Sequence, residues 1–262
     1  MKKADILKEI TQKKQERIIF AKQQISEDDL KAKIQPLAPT RPFIEAINKP
    51  KQISLIAEIK KQSPSRGVIR ADFNLQEISR VYQDAGVQAI SVLTEEDYFG
   101  GNIAYINEVK NIVSCPILRK DFILEPYQVY ESRFYGADAI LLIADLLSKE
   151  KLSELMELAE GLGLDCLLEV HDEKELKKAL GLKAPLIGVN NRDLHTLEVD
   201  SKTTEKLIPL IPKDKVVVVE SGLKSYQDIL FLKILGVSAV LIGEAIMEAS
   251  DIRKKIEELM GW

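Results

Sequence analysis

Soft metal ligands are scarce in this sequence, which holds two cysteines and two histidines in 262 residues. Cys115 and Cys166 stand far apart and match no metal or redox spacing. Both read as small buried hydrophobes beside strands, in a reducing, cytoplasmic setting. His171 and His195 fall into no His-Glu-x-x-His or facial-triad pattern, so no metal is implied. Basic excess is missing too: the net charge of −4 argues against a general nucleic-acid binder. No apolar run approaches the roughly 18 to 20 residues of a membrane span, and the Lys-rich start lacks the apolar stretch of a secretory signal. No Gly-x-Gly-x-x-Gly follows a first strand, which weighs against a doubly wound, dinucleotide-binding sheet. Acid–base chemistry, if present, must rest on Lys and Glu.

What the chain does have is 45% apolar and 30% charged residues, enough for a large core and a soluble surface. Apolar, β-branched runs recur at 53–60, 89–94, 116–122, 139–145, 165–170, 186–191, 216–221 and 239–242. Helical periodicity separates them, as at 75–85, 149–162, 173–180 and 226–235. Ser148, Asp172, Asp200, Ser225 and Asp251 precede helical segments as N-caps, and several segments stop at a glycine. Strict alternation means parallel strands joined by right-handed crossovers. Eight such units predict an α/β fold of the (β/α)8 TIM-barrel class over residues 49–262.

Residues 1–48 lie outside this pattern and are expected to form an N-terminal helical extension. The Lys- and Gln-rich segment 4–25 places Ile6, Leu7, Ile10, Ile18 and Ile25 for one or two helices that pack on the barrel or cover a mouth. Glu9, Glu16, Glu27, Asp28 and Asp29 dilute its basicity, so its charged face reads as solvated, not membrane-bound. The sequence ends at Trp262 after one barrel, and no fused second domain is expected.

Polar residues at the strand ends carry the functional signal. In a barrel, alternate residues face the interior, and catalytic groups sit at the C-terminal ends of the strands. That alternation sends Ser54, Ile56, Glu58 and Lys60 inward, with Glu58 and Lys60 near the mouth. It brings Lys120 inward beside Leu118 and Phe122, and adds Glu169, Asn190 with Gly188, and Glu220, with Arg192 following in a loop. Any one of these reads equally well as a solvated or ion-paired charge. Burying several is costly unless they are paired or serve a ligand, and five strands repeat the arrangement.

The last two loops have the pattern of a phosphate site. Ser221-Gly222 follows the seventh strand and Gly243-Glu244 the eighth, where many barrels hold phosphate on backbone N–H groups and a short extra helix, here 244–249. Gly222 and Gly243 would let the backbone approach an anion, although tight turns use glycine as well. The Glu244 carboxylate must point away from a phosphate dianion.

The motifs that carry these residues are I-A-E-I-K-K-Q-S-P-S-R-G, S-V-L-T-E-E-D-Y-F-G-G, P-I-L-R-K-D-F-I, G-A-D-A-I-L-L-I, L-L-E-V-H-D-E, G-V-N-N-R-D-L, V-E-S-G-L and L-I-G-E-A-I-M. In order and spacing they resemble the indole-3-glycerol phosphate synthase family of tryptophan biosynthesis, from the N-terminal helix to the C-terminus. The resemblance implies a carboxy-lyase that closes the pyrrole ring of 1-(2-carboxyphenylamino)-1-deoxyribulose 5-phosphate, giving indole-3-glycerol phosphate, CO2 and water. It implies no metal or organic cofactor, a small phosphorylated substrate, and other tryptophan-pathway enzymes as partners.

By the same resemblance Lys120 stands where the family's general acid is proposed, and burial in a partly closed site can lower a lysine's pKa towards neutrality and make it a usable donor. Glu169 matches the proposed base, and Glu58 with Lys60 the groups that assist dehydration and hold substrate. Which lysine donates at which step stays open. Asn190, Arg192 and Glu220 match the shell that positions substrate, Ser63 a binding residue in the loop after the first strand, and Ser221, Gly222 and Gly243 the phosphate cradle. Glu244 stands where some members have Ser, which leaves backbone contacts only. By pocket logic, Phe122 and Leu142 would wall the aromatic ring. Phosphoribosylanthranilate isomerase, with a Cys at its first strand, fits less well. A non-catalytic phosphate-ligand binding barrel remains the alternative.

Overall fold

The computed structural model describes residues 6–262, so residues 1–5, including the expected helical positions Ala4 and Asp5, lie outside the described residues. Strand β1 (Ser54–Ile59) is buried along its whole length, as expected of a parallel strand covered on both faces. Two short strands in the loop after it, β2 (Gln62–Ser63) and β3 (Gly67–Val68), form a hairpin around the Ser-Pro-Ser-Arg turn. The remaining strands are β4 (Ala89–Leu93), β5 (Ile117–Lys120), β6 (Ala139–Ile143), β7 (Asp165–Val170), β8 (Leu186–Asn190), β9 (Val216–Glu220) and β10 (Ala239–Ile242). Each coincides with one of the apolar runs. Outside the hairpin all pair in parallel, and β1 closes the barrel by pairing with both β4 and β10.

The helices are α1 (Ile6–Gln24), α2 (Glu27–Ile34), α3 (Phe43–Ile47), α4 (Leu75–Asp84), α5 (Ala104–Lys110), α6 (Pro126–Tyr135), α7 (Lys149–Gly161), α8 (Glu173–Gly181), α9 (Lys202–Leu207), α10 (Tyr226–Ile234), α11 (Glu244–Met247) and α12 (Ile252–Met260). Ser148, Asp172, Ser225 and Asp251 each accept the backbone N–H three residues on, as N-caps do. At α9 the cap position falls on Ser201, and Asp200 accepts the N–H of Lys202 instead. Among the described residues no helix is long and apolar enough to cross a membrane.

Strand alternation divides the apolar side chains into two layers. Leu55, Ala57, Ile59, Ile90, Val92, Ile140 and Leu142 face the helices. Ile56, Leu118, Leu141, Ile143, Leu167, Val218 and Leu241 fill the barrel interior. Helices α1 and α3 join that interior layer. Phe43 and Ile47 of α3 are fully buried against the N-terminal strand ends, where the Ile44 N–H donates to Asp165. Leu7 and Ile10 of α1 pack with Tyr98, Phe99 and Phe122 on the mouth side.

The buried face of α1 follows helical spacing through Leu7, Ile10, Lys14 and Ile18. Lys14 corrects the reading of a solvated charged face. It is 3% exposed, and its ammonium lies 2.9 Å from both Asp121 and Glu96. Arg17, one turn further along, pairs with Asp97 at the helix surface.

Candidate active site

The C-terminal ends of the strands open into a cavity of about 940 Å³, lined by charged residues on one part and by Leu93, Phe99, Phe122, Leu141 and Ile143 on another. Lys120, at the end of β5, crosses the mouth: its Nζ stands 2.8 Å from Glu169 Oε2 on β7 and 2.5 Å from Glu220 Oε2 on β9. Gly188 on β8, between them, leaves room for this convergence, because a Cβ there would come within 2.9 Å of Glu220 Oε1. On the opposite wall Lys60 Nζ lies 2.8 Å from Glu58 Oε1, and a Cβ on Gly243 would run into the same carboxylate. Gly243 is therefore required first as space for Glu58.

The charges are unequal in kind. Burial opposes the charge on Lys120, but Glu169, Glu220 and Glu58 together outweigh it and raise its pKa well above the ordinary value. This overturns the expected lowering towards neutrality. The site is closed as anticipated, but two carboxylates within ion-pair distance decide the balance. Burial also opposes ionisation of Glu169, yet Lys120 and His171 keep it far below the usual carboxylate range. Glu220 is pushed up to about 7 by burial, with Glu169 and Glu58 adding to Lys120's failure to hold it down. Its Oε1 is buried without a hydrogen-bond partner. One lysine thus stands between a carboxylate held ionised and one whose ionisation is opposed by burial and by its acidic neighbours.

Asn190, Arg192, Ser221, Gly222, Gly243 and Glu244 all line this cavity, as does Phe122. The Asn190 Oδ1 accepts the Arg192 N–H at 3.0 Å, which fixes the start of that loop. Ser221 and Gly222 are consecutive residues with positive φ, of 67° and 81°. Such a conformation is uncommon for a side-chain-bearing residue and concentrates where the backbone serves a ligand. The Glu244 carboxylate is bound by Arg66 Nε at 2.9 Å and by Arg192 Nη2 at 3.2 Å.

Two expectations do not hold in this geometry. Leu142 faces the helix layer, and its neighbours Leu141 and Ile143 line the cavity, because the inward register of β6 is the odd-numbered one. Ser63 is buried in the β2–β3 hairpin with its hydroxyl 3.4 Å from that of Ser65, and it is Ser65 and Arg66 that reach the cavity.

Three contributors escaped the sequence reading. Phe99 packs against Phe122, ring centres 6.3 Å apart, from a loop with no periodicity to mark it. Arg66 sits in the turn of the hairpin. His171, set aside for lack of a metal motif, touches Glu169; its place two residues on, on the same face of the strand, was the available signal.

A closed parallel barrel with lysines and carboxylates converging on its C-terminal mouth defines the class: a (β/α)8-barrel enzyme. The model of the family described as indole-3-glycerol phosphate synthase matches residues 7–259. The chain is 53% identical over 216 residues to the indole-3-glycerol phosphate synthase of Acetivibrio thermocellus, covering 82% of this chain and 83% of that one. It is 46% identical to that of Desulforamulus reducens, over 97% of both chains. The chain belongs to the indole-3-glycerol phosphate synthase family.

Two solved structures of low sequence identity share the fold. A 3-hexulose-6-phosphate synthase superposes with a TM-score of 0.63 at 13% identity, covering 80% of this chain and 99% of that one. A chain of the tryptophan synthase complex from Pyrococcus furiosus does so at 0.60 and 18%, covering 80% and 98%.

Proposed function

We propose that the protein closes the pyrrole ring of 1-(2-carboxyphenylamino)-1-deoxyribulose 5-phosphate to give indole-3-glycerol phosphate, CO2 and water. The observation that carries the reading is Lys120, held between Glu169 and Glu220 in a cavity with an apolar wall. The apolar wall of Phe99, Phe122, Leu141 and Ile143 suits the anthranilate ring. The loops at Ser221–Gly222 and Gly243–Glu244, with Arg192 beside them, suit the phosphate at the other end of the chain.

The carboxylate-bearing aromatic carbon bonds to the ribulose carbonyl carbon, and the carbonyl oxygen takes a proton from Lys120. Loss of CO2 restores the benzenoid ring. The new hydroxyl then leaves as water after a second protonation, and a proton is removed from the neighbouring carbon to give the indole. Two protons enter and one leaves, so the carboxylate form of the substrate takes up one proton overall. Glu169, kept ionised, serves as the base. Glu58 and Lys60 hold the substrate from the other wall and assist the dehydration. A Lys120 so firmly protonated gives up its proton only once substrate inserts between it and its carboxylates.

The test is turnover of this substrate by the pure protein without added metal, followed by the indole chromophore, beside Lys120→Ala. Parent activity with near-silence in the variant supports the reading. Tight binding of substrate by the parent without product would leave a phosphate-ligand binding barrel.

A further inference from the structure

His171 lies just beyond β7, with both ring nitrogens facing carboxylates. Nδ1 is 3.0 Å from Glu175 Oε2, and Nε2 is 3.2 Å from Glu169 Oε1. A neutral imidazole has one donor and one acceptor nitrogen, so one of these contacts would set a lone pair against a carboxylate. Two carboxylate neighbours are satisfied together only by the doubly protonated ring. The Nε2 contact is an ion pair more than a hydrogen bond, so it holds Glu169 Oε1 by charge.

Glu175 is built into the fold for this purpose. It occupies the first turn of α8, where Asp172 caps its N–H, and its Oε2 also accepts the backbone N–H of His171 at 2.9 Å. That oxygen therefore ties both the main chain and the ring of His171. The charged groups around the ring are Glu169 at the end of β7 and Glu175 on α8. Lys120 from β5 stands on the far side of Glu169, with Glu220 from β9 beyond it. The ring is mostly buried. Burial works against its charge, and Glu169 and Glu175 outweigh that to push it up to about 10.

We infer that His171, braced by Glu175, is a positioning residue for Glu169: it takes up Oε1, leaves Oε2 to Lys120, and so fixes the orientation and charge of that carboxylate. The inference rests on the reading of Glu169 as the base. Without His171 the carboxylate would have a single partner, Lys120, and would follow it whenever substrate drew the lysine away. With His171 in place a cation stays on Glu169 throughout the cycle, so the base remains aimed after Lys120 has given up its proton.

The experiment has two arms on the intact protein. Because the chain has two histidines, ¹⁵N-labelled imidazoles give two signal sets, and His171→Asn assigns them. In the parent, the His171 ring should remain doubly protonated above about pH 8, where an ordinary histidine is neutral. In Glu169→Gln and in Glu175→Gln it should titrate lower by about one pH unit or more. In the second arm, the pH dependence of kcat is measured for the parent, His171→Asn, Glu175→Gln and Glu169→Gln, with thermal melts confirming the fold.

His171→Asn should lower kcat about tenfold with KM within about threefold, and should displace the acid limb of the profile upward, because Glu169 loses a cation. Glu175→Gln, which leaves the ring in place, should move the same limb by less, and it serves where the His171 variant folds poorly. A His171 ring that titrates near its ordinary value in the parent overturns the inference. So does a His171→Asn profile that superimposes on the parent while Glu169→Gln is inactive. Full activity in Glu169→Gln removes the base assignment on which the inference rests while the ring-closing activity stands, an outcome distinguishable from the other two.

Discussion

Gly188 sits beneath Glu220 so closely that a single methyl group would displace the carboxylate, since a Cβ at 188 would lie 2.9 Å from Glu220 Oε1 and 3.2 Å from Leu167 Cδ1. Both obstacles are the ends of side chains able to move, so the fold should bear Gly188→Ala at a cost of about 1–2 kcal/mol. The geometry around Lys120 should not. A displaced Glu220 alters one of the two contacts that aim the lysine, and misplacement at a reacting centre is costly in rate. Gly188→Ala is expected to melt within a few degrees of the parent yet lose about tenfold or more in kcat. Parental kcat in a folded variant would show that Glu220 need not be held where it is.

The proton on Glu220 makes a pH-dependent prediction. Its folded pKa of about 7 stands above the ordinary carboxylate value of 4.5. The stabilisation is therefore fully present below the ordinary value and is lost as pH rises through about 7, because only the folded protein holds that proton in between. Glu220→Gln removes the dependence. Relative to the parent, the variant should gain on the order of 2–3 kcal/mol between about pH 4.5 and pH 8, read by urea denaturation at both. A difference between the two proteins that stays constant with pH would mean Glu220 is ionised throughout.

Much of this architecture was legible in the residues. The eight strands are apolar runs long enough to be read singly, and period-two alternation from Ile56 to Lys60 is enough to place Glu58 and Lys60 at the mouth. The same rule failed at Leu142 because G-A-D-A-I-L-L-I is apolar on both faces. With no polar residue to mark the interior, the register was a choice between neighbours. The burial of Lys14 within a charged helix face leaves no local trace, because its ion pair is to Asp121, more than a hundred positions away. The direction of the Lys120 shift was likewise hidden, since it depends on how near two distant carboxylates come. Burial alone would have lowered it.

Lys14 is expected to act as a clamp. Its ammonium bridges Asp121 and Glu96, and Asp121 is the residue after Lys120, its Oδ1 also accepting the Phe122 N–H. Arg119 remains on the other Asp121 oxygen, so Lys14→Met leaves that carboxylate half-compensated. The expected cost is about 2–4 kcal/mol, less than for a wholly orphaned buried charge. The double variant Lys14→Met with Asp121→Asn should recover part of it, as coupled residues do. Denaturation of the four proteins of that cycle measures the coupling, and simple additivity would show that the pair does not tie α1 to the strand end.

Glu244 stands where an arriving phosphate must compete with a carboxylate already present. It engages Arg66 from the hairpin after β1 and Arg192 from the loop after β8. Burial works against its charge, but Arg66, Arg192 and Lys60 hold it ionised below the usual range. A dianion needs those guanidinium groups, so it must draw them from Glu244 or share them under like-charge repulsion. Glu244→Ala releases both. The pairs are partly exposed and individually weak, so KM for the phosphorylated substrate should fall about three- to tenfold. The inhibition constant of inorganic phosphate should fall alongside it, while kcat should not rise. A higher KM would mean instead that the two arginines depend on Glu244 to stay at the mouth, and that the carboxylate organises the anion site more than it competes for it.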